Sequence, residues 1–173
     1  MNPHRDRAEG GDATPAPVLV LGVGNLLLRD DGVGLRLLDQ LASDPALAGS
    51  DVEFVDGGTQ GLMLLGRMSK RPAMLLLDAV SRGASPGTVH AFDGGAALAN
   101  PGGEGDTAHE GGAGTLLALA RLTGDLPRRV AVVGVEPACV ETGVGLSPEV
   151  ESAMDEAATR AREALAGLRA AIA

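Results

Sequence analysis

The stretch Ala73 to Asp78, AMLLLD, is apolar on both faces and ends on a carboxylate. A half-exposed strand alternates apolar and polar residues, so a strand-length run without alternation belongs in a parallel sheet covered by helices on both sides. The rest of the chain fits that frame. Val18 to Val23 (VLVLGV) reads as a second buried strand, and Asp31 to Ser43 carries Val33, Leu37, Leu38 and Leu41 at helical spacing, giving a first βα unit. Asp51 to Asp56 (DVEFVD) alternates like a strand, after which Thr59 can cap a short helix through Met68 with Leu62, Leu65 and Met68 on one side. Val130 to Val135 (VAVVGV) is a last buried strand, and Ser147 with Pro148 as N-cap and N1 opens a final helix to about Arg169.

One segment breaks the parallel pattern. Gly87 to Asp93 (GTVHAFD) reads as a strand, but only Ala79 to Pro86 separate it from AMLLLD. A parallel crossover needs about a dozen residues or more, so this strand is expected to run antiparallel. Beyond the Gly-rich loop Gly94 to Asp106, Thr107 and Glu110 form a T-x-x-E capping box that starts a helix to about Leu122, with His109 in its first turn. The expected fold is α/β, a three-layer α/β/α sandwich around a mixed, mostly parallel five-stranded sheet. With 173 residues and 45% hydrophobic content, one domain over 18–173 is expected. Residues 1–17 mix charge, Gly, Ala and three prolines without a signal-peptide core and read as a disordered tail.

Charge and cysteine usage exclude several functions. A net charge of −9 with only 14 basic residues leaves no footprint for nucleic acid or an anionic membrane. No run approaches the roughly 18 apolar residues of a membrane span, so a soluble, cytoplasmic protein is expected. Cys139 is the only cysteine. It permits no internal disulfide and no thiolate metal cluster, and reads as a small inert loop or core residue.

Asp31, Asp78 and His109 each lie on loops beyond strand-like runs, at the rim where such sheets bind their ligands. Two carboxylates and one imidazole suit a divalent ion such as nickel, zinc or manganese, with positions left for water or substrate. Each residue also has a structural reading. Asp30 as N-cap and Asp31 in the first turn both suit a helix start, and Asp78 could pair with Arg82. His109 would oppose the helix dipole when charged but serves well as a neutral ligand. His90 alternates with Val89 and Ala91 and is expected to face solvent. The loop LGVGNLLLRDDGVG, residues 21–34, resembles a dinucleotide-binding turn but has Leu27 where the third glycine belongs, and two aspartates where phosphate would sit.

At these residues the chain resembles the hydrogenase maturation endopeptidases, which trim a C-terminal extension from the large subunit of nickel-iron hydrogenase. The resemblance runs from about Val18 to Leu168. LGVGNLLLRDDGVG is similar to the family's opening motif, VDGGTQG (Val55 to Gly61) to its second loop, and LLLDAV (Leu75 to Val80) to its third-strand motif. TAHEGG (Thr107 to Gly112) matches its histidine segment, and VVGVEP with GLSP (Val132 to Pro137, Gly145 to Pro148) its C-terminal part. The family's metal-binding acid, aspartate and histidine fall on Asp31, Asp78 and His109. Its first acid is often Glu, one methylene longer than Asp31, which leaves Asp30 as an alternative.

The resemblance implies an endopeptidase, an aspartyl-type hydrolase acting as an activator of hydrogenase. Its substrate would be the nickel-loaded large-subunit precursor, and the nickel would be supplied by that substrate, with zinc or cadmium able to bind in vitro. The ion would polarise the scissile carbonyl or acidify a bound water, with a free carboxylate as base. Asp56, Gly57, Gly58 and Thr59, in a loop loosened by Gly57, Gly58 and Gly61, would contact the substrate extension. A monomer is expected. The alternatives are a nickel-dependent binding chaperone without cleavage and a nucleotide-binding module.

Overall fold

A computed structural model of the chain describes residues 15–49, 51–99 and 113–173. The tail through residue 14, the Thr107/Glu110 capping box and His109 lie outside the described residues.

Five strands form one sheet in the order β2-β1-β3-β5-β4. They are β1 (Val18–Val23), β2 (Val52–Gly58), β3 (Ala73–Ala79), β4 (Val89–Asp93) and β5 (Arg129–Val135). β1 pairs parallel with β2 and β3, β3 pairs parallel with β5, and β4 pairs antiparallel with β5. The short connection before β4 therefore produces the expected reversal. β1 and β3 are buried at every position, as strands with no polar face must be.

Alternate side chains build two cores. Val18, Val20, Leu75 and Leu77 pack with helices α1 (Val33–Ala42) and α5 (Pro148–Ile172) on one face. Leu19, Leu21, Met74 and Leu76 pack on the other face, beneath α2 (Leu65–Met68) and α4 (Ala113–Thr123). A short α3 (Gly94–Ala99) starts the region read from sequence as an uninterrupted loop. The result is the three-layer α/β/α sandwich expected. Burying these aliphatic side chains stabilises the fold by roughly 1.5–3 kcal/mol each before chain entropy is counted.

Helix α5 begins as expected, with the Ser147 hydroxyl accepting from the Val150 amide and Pro148 at N1. The helix after β2 differs. Thr59 makes no cap; a 3-10 turn over Gly61–Leu64 precedes α2 and turns Leu64 into the core while Leu62 is 63% exposed. The tighter turn changes the phase by which α-helical spacing would have buried Leu62.

Helix α1 lies very close to the sheet. A Cβ on Gly34 would stand 2.3 Å from the Leu77 carbonyl oxygen and 2.5 Å from that of Val23. Only glycine permits that approach, and it fixes where α1, and the turn that feeds it, meet the ends of β1 and β3.

Candidate active site

From β1 the chain crosses to β2 through α1 on one face, then returns to β3 through the α2 side on the other. The direction of winding reverses between β1 and β3, and the carboxyl ends of those two strands flank a crevice. Asp31 follows β1 and Asp78 lies near the end of β3, so both carboxylates lie at this switch point.

Asp31 sits in a 3-10 turn over Arg29–Gly32 and is half-buried. The loop doubles back on itself at Gly24, whose φ of 125° and 1.9 Å clearance from its would-be Cβ to the Asp31 carbonyl exclude any side chain. Asn25 donates its amide to Asp31 Oδ2 at 2.7 Å. That amide belongs to the glycine loop and is already occupied by a carboxylate, which is a poor setting for phosphate.

Asp78 is only 4% exposed. Its Oδ1 accepts from the Ala79 amide at 2.8 Å and its Oδ2 from the Ala113 amide, at the start of α4, at 2.9 Å. Burial pushes its carboxyl up to about 7 against those two hydrogen bonds, and the nearby negative charge of Asp31 pushes it the same way. Arg82 is not its partner. The Arg82 guanidinium lies over the Phe92 ring, 5.0 Å from the centroid, and its amide binds Glu136. Asp78 is thus a desolvated carboxylate beside a second one, with no basic side chain among its hydrogen-bond partners in the described residues.

Such a pair favours either a retained proton or a cation. Its donor set, two carboxylates, fits a hard or borderline divalent ion. Among the described residues no group of three or more His, Cys, Asp or Glu side chains is placed to hold a metal. The third member expected from sequence, His109, falls outside them.

Asp30 is not a helix cap and is not available as a ligand. It is fully buried, and neither the 3-10 turn nor α1 has a side-chain N-cap. Its Oδ2 accepts from the Ala138 and Cys139 amides at 2.9 Å each and from Ser147 Oγ at 2.8 Å. Its Oδ1 accepts from the Ser147 amide at 2.6 Å. Burial alone would raise its carboxyl, but these four donors outweigh that and hold it below the usual range. Asp30 fastens the β5–α5 loop to the turn, while Asp31, next in sequence, faces the crevice region near Asp78.

The second loop lies beside the first. Asp56 and Thr59 are exposed, Gly57 is buried against Leu21 and Leu64, and Gly58 takes a φ of 46° and accepts a hydrogen bond from the Gly24 amide at 3.0 Å. Cys139 is half-buried, and burial followed by Glu141 pushes its thiol up, away from nucleophilic reactivity.

Sequence reasoning missed Glu136. It follows β5 and is buried, accepting the Arg82 amide at 2.9 Å, the Gly83 amide at 3.1 Å and His90 Nε2 at 2.9 Å. Burial raises its carboxyl, and these donors more than reverse the effect. His90, expected at the surface, has a side chain only 11% exposed because it completes this network. The signal was available: a carboxylate ending the apolar run VAVVGV is the pattern that marked Asp78.

The profile of the hydrogenase maturation proteases matches residues 35–164. The hydrogenase 2 maturation protease of Escherichia coli K12 is 36% identical over 152 residues, covering 86% of this chain and 90% of the relative. The hydrogenase expression/formation protein HupD of Thiocapsa roseopersicina is 35% identical over 150 residues, covering 86% of this chain and 67% of its own length. Among solved structures, the hydrogenase maturating endopeptidase HybD from E. coli superposes with a TM-score of 0.70 at 35% identity, covering 89% of this chain and 93% of that one. A HybD protease from Thermococcus kodakarensis gives 0.66 at 29% identity, over 84% and 97%. The chain, with its two carboxylates at the switch point of a matching fold, belongs to the hydrogenase maturation protease family.

Proposed function

We propose that this protein is the endopeptidase that removes the C-terminal extension from the nickel-loaded large-subunit precursor of a nickel-iron hydrogenase. The observation that carries this reading is the placement of Asp31 and the buried Asp78 at the carboxyl ends of β1 and β3, where the sheet's winding reverses. Family membership supplies the reaction class, and the carboxylate pair supplies a place to conduct it.

Asp31, Asp78 and His109 are the residues that would hold a divalent ion, and nickel carried by the substrate is the ion expected. Their chemistry suits one: two oxygens and an imidazole leave coordination positions free. Ala113, whose amide binds Asp78, lies four residues after His109 in sequence, which supports reading His109 with the pair. When bound, the ion supplies Lewis-acid polarisation of the scissile carbonyl. Burial raises the Asp78 carboxyl toward neutrality, and whichever carboxylate of the pair is left free of the ion would accept a proton from an attacking water. The Ala79 and Ala113 amides hold the Asp78 carboxylate in place, while Asp56 and Thr59, exposed in the second loop, would offer groups to the substrate extension.

The protein is read as a cytoplasmic monomer of the aspartyl-protease type, with no nucleic-acid or membrane partner. No helix among the described residues is long and apolar enough to cross a membrane. Incubation of the purified protein with nickel-loaded precursor, followed by intact-mass spectrometry, tests the reaction. A discrete mass loss at the precursor C-terminus is expected. An unchanged mass, with the precursor retained in a stable complex, would replace cleavage by chaperone binding.

A further inference from the structure

Seven large hydrophobic side chains stand exposed among the described residues, and six lie on one rim. Leu26 and Leu27 are in the loop after β1, Leu62 and Met63 in the turn after β2, and Val140 and Val144 in the loop after β5. Exposures are 65% for Leu27, 79% for Met63 and 78% for Val144. The seventh, Leu122, lies at the far end of α4, on the opposite rim.

The loops are joined by backbone bonds. Gly143 donates its amide to the Leu27 carbonyl at 2.9 Å and accepts from the Arg29 amide at 3.1 Å, which places Val144 beside the Leu26–Leu27 loop. The Gly24 amide ties the first loop to Gly58, next to the turn that carries Leu62 and Met63. Isolated exposed apolar residues need no explanation, but a concentration on one rim of a monomeric fold marks a contact surface.

Charge narrows the occupant. Across residues 24–29, 59–64 and 137–147 the ionisable side chains that reach the surface, apart from the half-buried Cys139, are Arg29 and Glu141, which pair with each other at 3.3 Å. These three segments carry no net charge on a chain of net charge −9, and Asp56, near the end of β2, is an exposed charge beside them. The segments lie in the loops after β1, β2 and β5, at the same carboxyl-end rim as Asp31 and Asp78.

We propose that this neutral apolar rim is the docking surface for an uncharged, apolar segment of the large-subunit precursor beside its scissile bond. Leu26, Leu27, Met63 and Val144 act as anchors that seat the substrate over Asp31 and Asp78. The proposal rests on the proteolytic reading above. It assigns substrate recognition to side chains with no part in the chemical step.

The test uses the full chain and nickel-loaded precursor from the same organism. Two double variants, Leu27→Ser with Val144→Ser and Leu62→Ser with Met63→Ser, are compared with wild type and with Leu122→Ser. Each rim pair is expected to raise KM at least tenfold with kcat within about twofold, and Leu122→Ser to change neither. Thermal melting should match wild type, because the altered side chains are exposed. Affinity for immobilised precursor is measured in parallel with the same pairs in an Asp31→Asn background, so that binding is read without turnover.

Rim variants with wild-type KM and affinity overturn the proposal and leave the protease reading standing. Wild type that binds precursor without cleaving it, with binding lost in the rim variants, keeps the docking surface and removes the protease reading. Wild type that neither binds nor cleaves removes both. A self-association that the rim substitutions abolish while KM stays unchanged would assign the surface to a second copy of the chain and overturn the proposal.

Discussion

Asp78 Oδ2 accepts the amide of Ala113, 35 residues further along, so the same carboxylate that feels the charge of Asp31 also fastens the start of α4. Its carboxyl is pushed to about 7 in the metal-free fold, against 3.8 when free. The folded state therefore binds the proton more tightly than the unfolded chain. Stability from this source is complete below about pH 4 and is lost as pH rises through 7, by up to about 4 kcal/mol. Metal-free protein should melt at higher temperature near pH 5 than near pH 8. Asp78→Asn should flatten that dependence, although one of the two amides loses its acceptor at a cost of about 1–3 kcal/mol. Melting curves of the two proteins across pH 5 to 8 check this; parallel slopes would contradict it.

The two adjacent aspartates should separate cleanly. Asp31→Asn keeps an oxygen for the Asn25 amide and should abolish processing with little change in melting temperature. Asp30→Ala strands the Ala138, Cys139 and Ser147 donors in a buried setting and should cost about 3–5 kcal/mol. That corresponds to a fall of roughly 10 °C for a chain of this size. Loss of processing in Asp30→Ala at a temperature where it is fully folded would show that it does more than hold the loop.

The histidines make a second contrast. Imidazole ligates metal only when neutral, so nickel or cadmium binding should weaken below about pH 6. Calorimetric titration should find most of the affinity gone in His109→Ala. His90→Ala should leave affinity intact while lowering stability, since it removes the Nε2 contact to buried Glu136. Unaltered binding in His109→Ala would exclude it as a ligand.

Gly34→Ala would test the close seating of α1. Its methyl would meet the carbonyl oxygens of Leu77 and Val23, which belong to the backbone and cannot rotate away. A loss of at least about 2 kcal/mol is expected. Processing should fall further than stability alone explains, because displacing α1 moves Asp31 relative to Asp78.

Most of the sheet was legible because its signals are local. The all-apolar runs at Val18 and Ala73, the short connection before β4 and the Ser147–Pro148 helix start each reflect neighbouring residues, and the structure has all of them. Asp31 and Asp78 could be placed on one rim because parallel strands present their carboxyl ends together. What escaped depends on distant partners. Nothing near Asp30 announces that its acceptors are filled from residues 138–147, and nothing near His90 announces Glu136. The 3-10 turn that exposes Leu62 was missed because its spacing fits an α-helix equally well. His109, outside the described residues, remains an expectation from sequence.

The bonds from Asp30 to Ser147 span 117 residues. A growing chain exposes the Asp31 loop early in synthesis, yet the groups that anchor that loop are among the last to be made. That loop therefore lacks its anchor until residue 147 is made, and a chain cut before it should leave the Asp31 loop unset even if β1 and β3 have already paired. The shape of the Asp31 loop is in this way made conditional on residues translated more than a hundred positions later.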